Sequence, residues 1–388
     1  MDIRKVVSGV LSGAMVVLLC AGCVTASRTP AGSENDDAIP LLAPVRVGDV
    51  WGFVNRQGNL VIKPAYEDAG AFQGGLARVR LQGKDGFIDL GGKFAVKPKY
   101  ETAASFSEER AAVRENDRWG FIKPSGWSAA RAEYDAATSF SEGLAAIQLK
   151  GKWGYIGPDG KAVISERYEW AESFAEGLAP VKSEEGVGFI DRTGDFKIDP
   201  RFDAARPFHN GLAPAKTKGR WGYIDKSGDW VVEPVFEFAG TLSEGMAVVG
   251  RDGLYGYVNQ TGRLAVEPQF TAALPFSEGL AAVRIGAKFG FIRPSGKTAI
   301  NPAFDLAGPF GGGLAPVKMG EKWGYVNASG TLGVEPRFDD AGAFVNPSEN
   351  DAEAAREALK RGRLRSGLRL AVPAALLAGA GVAAILLL

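Results

Sequence analysis

The sequence predicts an all-β repeat protein: nine units of 34 residues, each a three-stranded antiparallel meander. Three observations carry that expectation. A glycine recurs at constant spacing, at Gly52, Gly86, Gly120, Gly154, Gly188, Gly222, Gly256, Gly290 and Gly324. The residue after it is always Phe or Tyr, followed by Ile or Val. A second glycine falls six places on, from Gly58 to Gly330, and a loop aromatic recurs from Tyr66 to Phe338. A fixed period of this length is the signature of stacked supersecondary units, each too small to bury its apolar face alone.

The first strand of a unit is Trp51-Gly-Phe-Val-Asn, with aromatics two apart on one face. The glycine between them suits a crowded backbone approach or a bend. Arg56-Gln57-Gly58 reads as a hairpin turn whose glycine takes positive φ. Residues 59–63 form the return strand. Pairing should stop at Pro64, since proline cannot donate to a ladder, and seven of the nine units carry proline there. Residues 65–75 are expected to form a loop carrying Tyr66 and Phe72, and Leu76-Ala-Arg-Val-Arg a third strand.

The array is offset. Leu42-Ala43-Pro44-Val45 matches the third-strand motif one period early, and no third strand follows Phe344. Two architectures are compatible with this. An open solenoid or superhelical array simply begins on that strand; a closed, propeller-like ring would use it to complete the last unit. Propeller blades normally have four strands, and 34 residues supply about three. The expectation is therefore the open array over residues 41–346, with the ring as the alternative.

The segments Arg118-Trp119-Gly120-Phe121-Ile122, Lys152-Trp153-Gly154-Tyr155-Ile156, Arg220-Trp221-Gly222-Tyr223-Ile224 and Lys322-Trp323-Gly324-Tyr325-Val326 resemble the WG-repeat family, also called KWG repeats. The Phe-Ser-Glu-Gly-Leu-Ala loops at 140–145 and 276–281 match as well. Four units depart at the Trp position, with Asp85, Val187, Tyr255 and Phe289. The resemblance implies a bacterial protein, often of the surface or envelope, and brings no catalytic residues.

Both ends read as membrane signals. Arg4 and Lys5 precede an apolar run from Val6 to Leu19, followed by Ala21, Gly22 and Cys23. Leu19-Cys20-Ala21-Gly22-Cys23 resembles a bacterial lipobox, departing from it at Cys20. That makes residues 1–22 a lipoprotein signal peptide and Cys23 the lipidated residue. Residues 23–40 are polar, aperiodic and suited to a flexible tether. Residues 347–369 suggest a basic, amphipathic helical linker with Arg361, Arg363, Arg365 and Arg369 crowded at its end. Leu370–Leu388 is free of polar side chains. At about 1.5 Å per residue it would span about 28 Å, close to a bilayer core, so a transmembrane helix is expected. The arginine cluster favours a cytoplasmic side, whereas the N-terminal signal favours export. The favoured localisation is the cell envelope, with a membrane-anchored body facing the periplasm or surface. The alternative is a cytoplasmic body with a C-terminal tail anchor.

Composition narrows function. Lys plus Arg and Asp plus Glu both number 45. This balance argues against a nucleic-acid binder, which would need a basic excess to displace counterions. Two cysteines, both in the targeting segment, and one histidine, His209, leave no obvious metal, cofactor or His-based catalytic set. Recurring acids such as Glu67, Asp135 and Asp305, and the loop glutamates Glu108, Glu142, Glu176, Glu244 and Glu278, read as acceptors for backbone N–H groups in turns. Phe310-Gly311-Gly312-Gly313 lacks the Lys-Ser/Thr of a phosphate loop. The expectation is a non-enzymatic binding or scaffold protein, anchored by the lipid on Cys23 and the C-terminal helix, whose partner is a protein or a cell-wall glycan. Trp51, Trp119, Trp153, Trp221 and Trp323 are the candidate binding surface. The aromatic row reads first as core and second as a sugar-stacking platform.

Overall fold

The computed structural model describes residues 41–346. They form nine four-stranded antiparallel sheets arranged as a nine-bladed β-propeller. The signal peptide, Cys23, the tether, the basic linker and the apolar segment 370–388 lie outside the described residues. Among the described residues, no helix is long and apolar enough to cross a membrane.

The open array is corrected to a closed ring. Eight blades are continuous in sequence; the ninth sheet joins the two ends of the array. Its strands Ala43–Val47, Val50–Val54 and Leu60–Tyr66 are completed by Asp340–Ala341, with Val45 opposite Ala341 and Arg46 opposite Asp340. The Asp339 N–H donates to the Arg46 carbonyl and the Gly342 N–H to the Pro44 carbonyl (2.9 and 2.8 Å). Apolar burial agrees. Each of nine core clusters is shared by two neighbouring blades. One of them joins Ala43, Val45 and Val54 to Leu314, Tyr325, Val334, Phe338 and Phe344. An open row of nine blades would have eight such interfaces.

The three-stranded unit is corrected as well. The expected loop after the return strand contains a fourth strand, only two residues long in most blades, as at Thr102–Ala103 and Ala136–Ala137. In the register of Ala103 with Val113, its N–H and C=O groups extend the ladder of the following strand. Along the return strand most side chains are exposed, as in Leu60–Tyr66 and Phe94–Tyr100, which makes it the blade's outer edge. The two-residue strand at the opposite edge therefore lies toward the ring axis.

Pairing does not stop at the proline. Pro64 lies within Leu60–Tyr66, opposite Gly52, where the register jumps from Trp51–Tyr66 to Phe53–Ile62. The return strand bulges over the glycine there, so Pro64 loses no ladder bond it could have made. A Cβ on Gly52 would meet the Ile62 carbonyl oxygen and the Pro64 nitrogen at 2.6 Å. The same backbone collision recurs at Gly86, Gly154, Gly256 and Gly324. This is the close approach expected of the repeat glycine. The second glycine has positive φ throughout, 78° at Gly58 and 86° at Gly330. Beneath the bulge, in every blade but the one where Leu242 stands, the strand aromatic packs against the loop phenylalanine, edge-on in Tyr155–Phe174 and Phe121–Phe140 (4.9 and 5.0 Å between centroids).

Candidate functional site: the inner edge and the faces of the ring

The loop glutamates act between blades. Glu142 accepts the N–H groups of Glu176 and Gly177 in the next blade (2.6 and 2.9 Å). Glu244 does the same for Glu278 and Gly279, and Glu176 for Gly211. Where a serine precedes the glutamate it donates across the same boundary, Ser141 to the Phe174 carbonyl and Ser277 to the Phe310 carbonyl (2.7 Å each). The acids after the loop aromatic act within the turns. Glu67 accepts from Gly83 and Asp305 from Gly320 (2.9 and 2.8 Å). Several also pair with the base that precedes the Trp position, as in Lys322–Asp339 (2.6 Å), Arg220–Glu237 (3.1 Å) and Arg118–Asp135. Lys288, hydrogen-bonded to Asp305, holds that carboxyl below its ordinary range.

Trp51, Trp119, Trp153, Trp221 and Trp323 are half-buried, each packed against a core cluster. They stand at equivalent strand positions on five different blades. Trp127 differs from them. It follows a turn glycine where other units carry Lys, Asp, Asn, Arg or Thr, and it is 77% exposed. At the equivalent of the Trp position in the second blade, Asp85 is fully buried. Arg80 and Arg78 reach its carboxylate at 3.0 and 3.5 Å, and the Ala103 N–H donates to it at 2.8 Å. A buried carboxylate with two partly exposed arginines thus replaces the indole. His209 forms a two-residue bridge with Leu212 in the loop where serine usually stands.

The repeat is also broken at the inner edge. The residue after the conserved alanine of the short strand runs Gly70, Ala104, Thr138, Glu172, Arg206, Gly240, Leu274, Gly308, Gly342. One acid and one base occupy adjacent blades among otherwise small or uncharged residues. The Arg206 guanidinium lies between the rings of Trp221 and Phe238, at 5.3 and 5.5 Å from their centroids. Lys216, the cross-strand neighbour of Trp221, approaches the same indole at 5.8 Å. Burial pushes the Glu172 carboxyl above its ordinary value, against the opposing pull of Arg206. Burial likewise raises the phenols of Tyr155 and Tyr223, whose hydroxyls donate to the Glu172 and Gly240 carbonyls (2.8 Å each). Of this cluster, Trp221 was a candidate from sequence; Glu172, Arg206, Lys216 and Phe238 were not. The readable signal was a pair of charged residues standing where the period otherwise puts small ones.

A closed propeller whose repeated polar groups lock its blades to one another falls in the class of binding and scaffold propellers. The chain belongs to the WG-repeat family: the WG containing repeat matches nine times, at residues 51–84, 86–119, 119–153, 153–185, 188–221, 221–255, 255–289, 289–323 and 323–347. No curated protein matches the sequence. Among solved structures, a eukaryotic initiation factor is similar in fold with a TM-score of 0.57 at 10% identity, covering 78% of this chain and 97% of its own. The dihydro-heme d1 dehydrogenase NirN in complex with DHE aligns with a TM-score of 0.47 at 13% identity, covering 81% of this chain and 76% of its own.

Proposed function

We propose that the protein is a non-enzymatic scaffold of the bacterial cell envelope, held at the membrane by a lipid on Cys23 and by the apolar segment 370–388. The observation that carries this reading is how the repeated polar groups are used. Glu142, Glu176 and Glu244, with Ser141 and Ser243, bind neighbouring blades, and Glu67 and Asp305 bind turns. The recurring carboxylates thus serve the ring, and a stiff ring presents its faces and inner edge to a partner. The export-type N-terminus supports the envelope location. Affinity capture of envelope proteins and glycans on the intact chain tests the scaffold reading. Retention of a defined partner is expected; retention of none over repeated trials would contradict it. Metabolic labelling with palmitate tests the anchor: label in the wild type and none in Cys23→Ser is expected, and an unlabelled wild type rejects lipidation.

Cell-wall glycan is the second reading for the partner, favoured by the half-exposed indoles and by Trp127. Sedimentation with purified cell wall separates the two. Loss of sedimentation in Trp127→Ala, with folding intact, would favour glycan stacking.

A further inference from the structure

The Arg206 cluster asks for a ligand. A guanidinium has five N–H donors and normally spends them on carboxylates or carbonyls. In this protein Arg78, Arg114 and Arg220 do so, on Asp68, Asp117 and Glu237, and Arg201 donates to the Gly228 carbonyl. Arg206 Nε is buried without any hydrogen-bond partner, the one such side-chain atom among the described residues. Buried donors without an acceptor are rare enough in folded proteins to need a reason. The side chain is nonetheless held firmly, between Trp221 and Phe238, and Tyr255 extends the wall by packing on Phe238 at 6.1 Å. A planar cation clamped between two rings with its edge unspent is organised to meet a planar anion. Lys216 adds a second positive charge beside the same indole. Glu172 stands at the equivalent position one blade away, where its carboxylate oxygens offer acceptors beside the Arg206 charge that acts on it.

We propose that this inner-edge cluster binds an α-carboxylate with a neighbouring N–H group, the carboxylate on Arg206 and Lys216 and the N–H on Glu172. A peptide C-terminus and a free amino acid both present that chemistry, with a side chain to lie on Phe238 and Tyr255. The inference rests on the scaffold reading and narrows it to one partner chemistry.

The test uses the full chain in detergent and calorimetric titration with N-acetyl-trialanyl-leucine as the free acid, the same peptide as its C-terminal amide, and free leucine. The free acid is expected to bind, and the amide at least about tenfold more weakly, because it removes the charge-assisted bonds. Binding of leucine alongside the peptide assigns the site to the α-carboxylate itself; binding of the peptide alone assigns it to chain termini. Arg206→Gln should lose binding by a similar factor while unfolding at the same temperature as wild type. Arg206→Lys, which keeps the charge but not the fork, should recover only part of it. Absence of heat with the folded wild type, equal binding of acid and amide, or full binding by folded Arg206→Gln each overturns the proposal. So does equal competition by a neutral cell-wall oligosaccharide. Should the peptide fail while envelope capture persists, the inner-edge site falls and the scaffold reading stands; loss of both removes the scaffold reading too.

Discussion

At the scale of single residues, the repeat glycine and the buried Asp85 carry opposite lessons. A Cβ on Gly154 would lie 2.5 Å from the Ile164 carbonyl oxygen and 2.8 Å from the Glu166 nitrogen. Both obstacles are backbone, so the bulge itself must move. Gly154→Ala is expected to cost about 3 kcal/mol by overpacking, measured by denaturant unfolding. A cost under about 0.5 kcal/mol, the range of a neutral surface change, would show that the bulge yields freely. Periodicity alone revealed this glycine because the collision recurs blade after blade. Asp85 was visible only as a departure from tryptophan. Its partners are Arg80, at a position where several units carry a base, and Arg78, where the other units carry Pro, Ala or Val; the readable signal was two departures from the repeat in one blade, with the pairing between them visible only in the fold. Asp85→Ala removes the buried acceptor of Arg78, Arg80 and the Ala103 N–H and should cost about 1–3 kcal/mol; Asp85→Asn, which keeps the Ala103 acceptor, should cost less. Equal, small losses in both variants would show that the carboxylate is not desolvated.

At the scale of elements, the Ser-Glu-Gly turn is a strained hairpin turned into a clasp. Glu142 and Gly143 both have positive φ, 52° and 76°. Such a turn prefers Asn-Gly, and a glutamate there is explained by its reach to the next blade. Glu142→Ala keeps the strain and removes two charge-assisted bonds, so it should lower stability by about 1–3 kcal/mol. Glu142→Gly removes the strain as well and should lose less. If Glu142→Ala proves as stable as wild type in thermal unfolding, the clasp is not a source of stability. The sequence marked these acids as turn acceptors but not as bonds across a blade boundary, because a single-chain pattern shows the period and not which copies touch. The fourth strand was hidden for a related reason. Two residues, mostly Ala with one variable neighbour, are too short to show any alternation. The loop thus passed for irregular, and the strand count pointed to an open array.

At the scale of the whole molecule, closure depends on one short strand and its flanks. Asp339 is part of that seam: it accepts the Lys322 ammonium at 2.6 Å and the Gly48 N–H at 2.8 Å. These contacts, Lys322 first, hold its carboxyl below the ordinary range. A carboxyl depressed in the folded state contributes stability above its unfolded pKa, about 3.9, and that contribution is lost as pH falls through the lower folded value. Acid should therefore loosen the seam, and Asp339→Asn should flatten this part of the stability–pH profile while leaving neutral-pH folding in place. An unchanged acid limb in Asp339→Asn would assign acid sensitivity elsewhere.

The central claim is the ring itself, and a cysteine pair tests it most directly. The described residues contain no cysteine, so pairs can be placed cleanly once Cys20 and Cys23 are replaced by serine. Val45→Cys with Ala341→Cys spans the seam; Val79→Cys with Ala69→Cys spans the equivalent positions within one continuous blade. Cross-strand neighbours lie within the roughly 4.4–6.8 Å Cα separation that a disulfide requires. Under mild oxidation, both pairs are expected to close to the same extent, read as intact-mass loss of two hydrogens and protection from alkylation after denaturation. Closure of the pair at 69 and 79 without closure of the pair at 45 and 341 would contradict the ring and return the molecule to an open array.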